Sequence, residues 1–124
     1  MDKYEMQERM TALAVRIIKM VDSLPMTVAG QAVARQIVRS GTSPSANYRA
    51  ACLAKSEKDF LNKLKMVEEE LDETCHWLDI IIRSEMLSVS RVQPLFQECK
   101  ELLSMVVKSV KTIKTRMKAD GMIK

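Results

Sequence analysis

Glu73-Thr74-Cys75-His76 holds a Glu-x-x-His spacing, which on a helix sets a carboxylate and an imidazole on one face. Di-iron bundles use two such pairs together with further glutamates. His76 is the only histidine in the chain, so one protomer lacks the second pair, and the other helical segments offer no matching inward acids. A zinc site on Cys75 and His76 fails because adjacent helical residues diverge by about 100° and no CxxC supports them. No Gly-x-Ser-x-Gly elbow is present to carry a nucleophile, and Gly30 and Gly41 are isolated rather than part of a phosphate-binding loop. The run Glu68-Glu69-Glu70-Leu71-Asp72-Glu73 reads as a solvated acidic face, because the core stripe passes between its members. No catalytic residue, metal or cofactor is expected, and the chain reads as non-enzymatic.

The informative polar feature is the uneven placement of charge. Lys108, Lys111, Lys114, Arg116, Lys118 and Lys124 crowd the last part of the chain, relieved only by Asp120, and Lys108, Lys111, Lys114 or Thr115, and Lys118 fall in one helical stripe. Part of this suits the negative end of a helix dipole. Arg35, Arg39 and Arg49 form a second basic group. With a net charge of +4, this points to a phosphate-contacting surface for RNA or DNA, largely without sequence preference and weakening with salt. A solvated helix end, or a basic face that meets the acidic segment of another subunit, is the competing reading. It would make the chain an oligomeric interaction or scaffold module with a protein partner. Trp77 and Tyr48 are too few to make base-stacking platforms.

These residues must be positioned by helices. At 124 residues the chain is one domain, residues 1–124, with enough length for a core of its own. Three glycines, three prolines and 4% aromatics beside ten methionines argue for an all-α chain and against a β-sandwich. The first helix is predicted over Lys3–Ser23, with Asp2 as its cap and a stripe of Met6, Met10, Leu13, Ile17, Met20 or Val21, and Leu24. Asp22-Ser23-Leu24-Pro25 ends it. The second runs from Thr27 to about Ala54 on Val33 and Ile37, followed by the small residues Ala46, Ala50, Ala51 and Ala54. The third is capped by Ser56 in capping-box register with Asp59 and carries Phe60, Leu64, Val67, Leu71, Cys75, Leu78 and Ile81 or Ile82 to Ser84. The fourth is expected to start at a Ser90–Gln93 box, tolerate Pro94, continue through Phe96, Cys99, Leu102 or Leu103, Val106, Val110, Ile113 and Met117, and stop at Gly121.

The centre of the second helix is unusual. Gly41 and Pro44 cost a continuous helix about 1 and 3 kcal/mol. Ser43 can cap a restarted helix with Pro44 in its first turn. Because an outright stop would leave this element half the height of its neighbours, a kinked helix crossing the whole bundle is preferred. Asn47 is predicted to hydrogen-bond backbone groups freed by the break. Four comparable helices joined by short turns give an antiparallel up-down-up-down bundle. Cys52, Cys75 and Cys99 form no CxxC and read as reduced, buried small hydrophobes. The charged N-terminus and the lack of any ~20-residue apolar run lead to the expectation of a soluble, cytoplasmic protein.

Gln36-Ile37-x-Arg39-Ser40-x-x-Ser43, Ala46-Asn47-Tyr48-Arg49-Ala50-Ala51, Ala54-x-Ser56-x-x-x-Phe60-x-x-Lys63-Leu64 and Glu69-x-x-Asp72-Glu73-x-x-x-Trp77-Leu78 resemble the bacterial four-helix-bundle proteins, also called the ribosomal-RNA intervening-sequence protein family. The resemblance implies a small antiparallel bundle that assembles as a homo-oligomeric ring, a pentamer, with no enzymatic activity. It also relates the chain to an accessory protein of diversity-generating retroelements, which binds nucleic acid and a reverse transcriptase through a basic surface. Two departures are Ala50, where many relatives carry glutamate, and a first helix whose aromatic start is limited to Tyr4.

Overall fold

A computed structural model describes residues 1–124. Four helices follow one another: α1 (Lys3–Val21), α2 (Val28–Cys52), α3 (Glu57–Arg83) and α4 (Val89–Ala119). Each packs on its sequence neighbour and α4 returns to α1, while the backbones of the diagonal pairs stay apart, so the helices stand at the corners of a square. This is the antiparallel bundle that the four apolar stripes require.

The starts and stops follow local chemistry. Asp2 accepts the Glu5 N–H at 2.9 Å, Thr27 accepts the Gly30 N–H at 3.0 Å, and Ser56 accepts the Asp59 N–H at 3.1 Å. Each bond satisfies an N–H that a helix start leaves unpaired. Asp59 reaches back to the Lys55 N–H at 3.3 Å. α1 and α2 stop two residues short of the expected ends because Ser23, Leu24, Leu53 and Ala54 close three-residue turns onto Met20, Val21, Ala50 and Ala51. α4 starts earlier than expected. Its cap is Ser88, whose side chain bonds no backbone N–H of the first turn, so the helix does not begin at the Ser90–Gln93 box and Pro94 lies inside the second turn. At the other end Gly121, at φ +74°, donates to the Lys118 carbonyl while Met122 donates to that of Met117. That is the paired closure expected of a helix-ending glycine.

The central stretch bears out a second helix that crosses the whole bundle and corrects its local detail. α2 crosses the whole bundle without interruption; Ser43 caps nothing, and Pro44 is buried in the helix interior rather than placed in a first turn. Pro44 has no N–H to give the Ser40 carbonyl. Around it, Thr42 Oγ1 donates to the Val38 carbonyl at 2.6 Å and Ser45 Oγ to that of Thr42 at 3.2 Å. Asn47 does not bond freed backbone groups; its Nδ2 donates to Ser43 Oγ at 2.9 Å. Gly41 is a packing device: a Cβ built there would lie 2.3 Å from Ile17 Cδ1 on α1. Tertiary packing has overridden local helix preference.

The core joins all four stripes, from Met6, Met10, Leu13 and Ile17 on α1 to Val106, Val110, Ile113 and Met117 on α4. On α3 the fully packed positions are Leu61 and Thr74 rather than Phe60 and Cys75, and on α4 Val92 and Leu95 lie deeper than Phe96. Thr74 can be buried because its hydroxyl is satisfied, donating to the Glu70 carbonyl at 2.7 Å and accepting from the Ser40 hydroxyl at 3.0 Å. No helix is long and apolar enough to cross a membrane.

Candidate nucleic-acid interface

α4 is the longest helix, 31 residues, and its stripe of Val106, Val110, Ile113 and Met117 fixes which side faces outward. Lys108, Lys111 and Lys118 are exposed and Lys114 is partly so. None of the four has a carboxylate within ion-pair distance. Spaced three to four residues apart, they make a one-sided row of free ammonium groups along the last three turns.

The arginines differ from the lysines. Arg39 bonds Glu70 through Nη1 at 3.1 Å and also pairs with Glu73, both on α3. The Glu70 hydrogen bonds, outweighing desolvation, raise its pKa above the ordinary guanidinium value. Arg116 is turned to Glu57 at the start of α3, and Arg9 to Glu98 and Glu101 on α4. Arg35 and Arg49 are exposed and unpaired, but they lie on α2, the corner diagonal to α4. One chain therefore does not join the α2 arginines and α4 lysines into a single patch. Glu73 is occupied by Arg39, and His76 is exposed with its ring edge-on to Trp77 at 5.0 Å. The Glu-x-x-His pair thus points to no common centre, and no group of three or more His, Cys, Asp and Glu side chains converges anywhere.

A feature that sequence reasoning missed lies where α1 and α3 begin and α2 and α4 finish. A cleft of about 410 Å³ is lined by Met6, Tyr48, Phe60, Lys108, Thr112 and Arg116, among others. Tyr48 and Phe60 also border an adjoining hollow of about 470 Å³ with Lys3, Ala51, Cys52 and Glu57. Burial, helped by neighbouring Cys52, pushes the Tyr48 phenol up to about 12, so it stays protonated at neutral pH. The polar lining of the cleft is hydroxyls with Lys108 and Arg116, the latter paired with Glu57 of the adjoining hollow. Sequence spacing places Phe60 in register with Leu64 and Leu71, but Leu61 takes the buried position and Phe60 is left half-buried at the edge of the core stripe.

A family model described as 23S rRNA-intervening sequence protein matches residues 2–108. Among solved structures, the chain is similar to the crystal structure of a protein of unknown function from the S23 ribosomal protein family of Bacteroides thetaiotaomicron VPI-5482. The two are 32% identical, with a TM-score of 0.76, over 86% of this chain and 98% of that one. No curated protein matches. The family match ends at Lys108, so Lys111, Lys114 and Lys118 lie beyond it.

Proposed function

The chain belongs to the 23S rRNA-intervening sequence protein family, and from that premise we propose that it is a non-catalytic, cytoplasmic, nucleic-acid-binding accessory protein acting as a homo-oligomer through the lysine face of α4. The observation that carries this reading is the sorting of charge. Arg9, Arg39 and Arg116 are neutralised within the chain, whereas Lys108, Lys111, Lys114 and Lys118 are left together on one face without an anion. A row of unpaired ammonium groups favours phosphates by displacing their condensed counterions and reads no base sequence. Oligomerisation multiplies the row, and several weak contacts on one polyanion reinforce one another. Arg35 and Arg49 would then meet phosphate only from a neighbouring subunit's side of the assembly.

A second reading has its own support. Glu68, Glu69 and Asp72 on α3 are also unpaired, so the lysine row could dock on the α3 of another copy and the assembly serve as a scaffold for a protein partner.

Fluorescence anisotropy with a labelled structured RNA and a DNA duplex at low and physiological salt, beside light scattering, separates the two. The nucleic-acid reading expects micromolar or tighter binding whose logarithm falls with the logarithm of salt with a slope near −3, from about three or four phosphates neutralised per chain. Lys111→Glu with Lys114→Glu should abolish that binding and leave the oligomer intact. Loss of the oligomer in the same variant, with no binding by wild type, would favour the scaffold.

A further inference from the structure

Two of the three cysteines, 24 residues apart in sequence, meet across the α3–α4 seam, where Cys75 Sγ lies 3.2 Å from Cys99 Sγ. All three are reduced as expected, but the expectation that they are buried holds for Cys99 alone. Cys99 is fully enclosed, with its sulfur 3.5 Å from the Leu71 carbonyl oxygen. Cys75 is half-buried and opens onto a surface hollow of about 510 Å³ that it lines with Asp72, His76, Asp79, Phe96 and Lys100. The pair is therefore asymmetric, with one sulfur reachable from solvent and the second directly behind it.

The electrostatics run the same way. The hydrogen bond between the sulfurs holds the Cys75 thiol below its ordinary value, with Lys100 assisting and burial and Asp72 opposing. The same hydrogen bond and deep burial push Cys99 up. The more accessible sulfur is thus also the one more readily ionised, and thiolate is the form that attacks a disulfide.

We propose that Cys75 and Cys99 form a reversible intrachain disulfide, reached by exchange with a low-molecular-weight disulfide that enters at Cys75. In the first step the Cys75 thiolate attacks one sulfur of the small disulfide, whose S–S bond breaks and releases one thiolate. Cys99 gives up its proton as its sulfur attacks Cys75 Sγ, and the two released small thiolates take up the two protons that the cysteines have lost to solvent. The Cys75–Cys99 bond forms, the mixed disulfide breaks, and the second small thiolate leaves. Two protein thiols are oxidised to one disulfide while one small disulfide is reduced to two thiols. The sulfurs need to close by about 1 Å to reach the usual bond length near 2.05 Å. The link ties α4, the helix that bears the lysine row, to α3 and constrains the unfolded chain, so the oxidised form melts higher.

The full chain is incubated with oxidised glutathione and followed by intact mass, non-reducing peptide mapping and thermal melting. The expected product has lost two hydrogen masses, carries a Cys75–Cys99 linked peptide, melts several degrees higher and reverts with dithiothreitol. Cys52 lies away from the pair, beside Tyr48 on α2, so Cys52→Ser should behave like wild type. Cys99→Ala should instead accumulate a glutathione adduct on Cys75, which identifies the sulfur that is attacked from solvent. Three free thiols after incubation, a lasting adduct on Cys75 in the wild type, or linkage through Cys52 would each overturn the proposal. Wild type and Cys52→Ser decide the matter even if Cys99→Ala fails to fold.

Discussion

Ser40 and Thr74 are the two fully buried polar side chains, and they are bonded to each other across α2 and α3. A buried hydroxyl deprived of its partner loses more than the modest net worth of one hydrogen bond, because its desolvation is then uncompensated. Thr74→Val, which strands the Ser40 hydroxyl, should therefore destabilise the chain by about 1–2 kcal/mol, and Ser40→Ala by less, because Thr74 keeps its bond to the Glu70 carbonyl. The double variant should lose clearly less than the sum, since neither group is left stranded. Urea unfolding of the four proteins checks this; strict additivity would mean that the pair is not coupled. The position of this pair was hard to read in the sequence. Thr74 and Cys75 are adjacent, and apolarity favoured the cysteine as the inward residue. What buries Thr74 is a serine 34 positions away and a carbonyl one turn back. Asn47 teaches the same lesson at shorter range: its polar character was visible, but its partner is the Ser43 hydroxyl rather than an open backbone group.

At the scale of elements, two positions test how packing and backbone geometry set aside helix preference. Gly41→Ala gains about 1 kcal/mol of helix propensity, yet its new methyl group would meet Ile17 Cδ1 and Cγ2, at 2.3 and 3.1 Å. Overpacking of a closed core costs about 1–3 kcal/mol, and Ile17 is fully buried. The variant should be less stable than wild type by about 1 kcal/mol, and Ile17→Val, which removes the nearer atom, should recover part of that loss. A stabilised Gly41→Ala protein would show that the glycine is not required for the α1–α2 approach. The second position is Glu85, which ends α3 with φ 60° and donates to the Ile82 carbonyl, while Met86 donates to that of Ile81. This is the closure that Gly121 gives α4, made here by a residue with a Cβ in left-handed backbone space. Glu85→Gly should stabilise by about 0.5–1 kcal/mol, seen as a rise in melting temperature of about 2–5 °C; an unchanged or lower midpoint would refute it. Helix number, order and most core stripes were legible because apolar spacing repeats every three to four residues. The passage of α2 across the whole bundle was legible too, from the matched helix heights; the close approach of Ile17 at Gly41, the burial of Pro44 and the start of α4 were not, since local rules do not see the helix packed against them. The lysine row was equally legible as a stripe. That Arg39 is withdrawn from the basic surface by Glu70 and Glu73 depends on which helices become neighbours.

Across the whole molecule the square of helices is unevenly closed. α2 and α3 share the most extensive seam, while α1 meets α4 along the sparsest. α1 is also the shortest helix, 19 residues against 31 for α4. Polar contacts carry much of this seam. Arg9 bonds Glu98 through Nε at 3.0 Å and Glu101 through Nη2 at 3.1 Å, and Arg91 donates to Ser23 Oγ at 2.7 Å. The Glu98 hydrogen bond, outweighing desolvation, raises the pKa of Arg9, so this cation remains charged throughout the working range. Local opening follows the element with the fewest supporting contacts. The backbone amides of α1 should therefore exchange with solvent faster than those of α3, with α4 protected by its packing on α3. Arg9→Ala should speed exchange in α1 further and leave α3 nearly unchanged, because it removes a tie on one side of the square only. Hydrogen–deuterium exchange read by mass spectrometry distinguishes this from global unfolding, in which all four helices would exchange together. If α1 and α3 exchanged at one rate in both proteins, the bundle would open as a single cooperative unit and the α1–α4 seam would not be its weak side. If α1 alone loosens, the lysine row stays on a platform held by the α3–α4 seam while α1 comes away from α4's other side. Binding of nucleic acid by α4 should then be the same for Arg9→Ala and wild type.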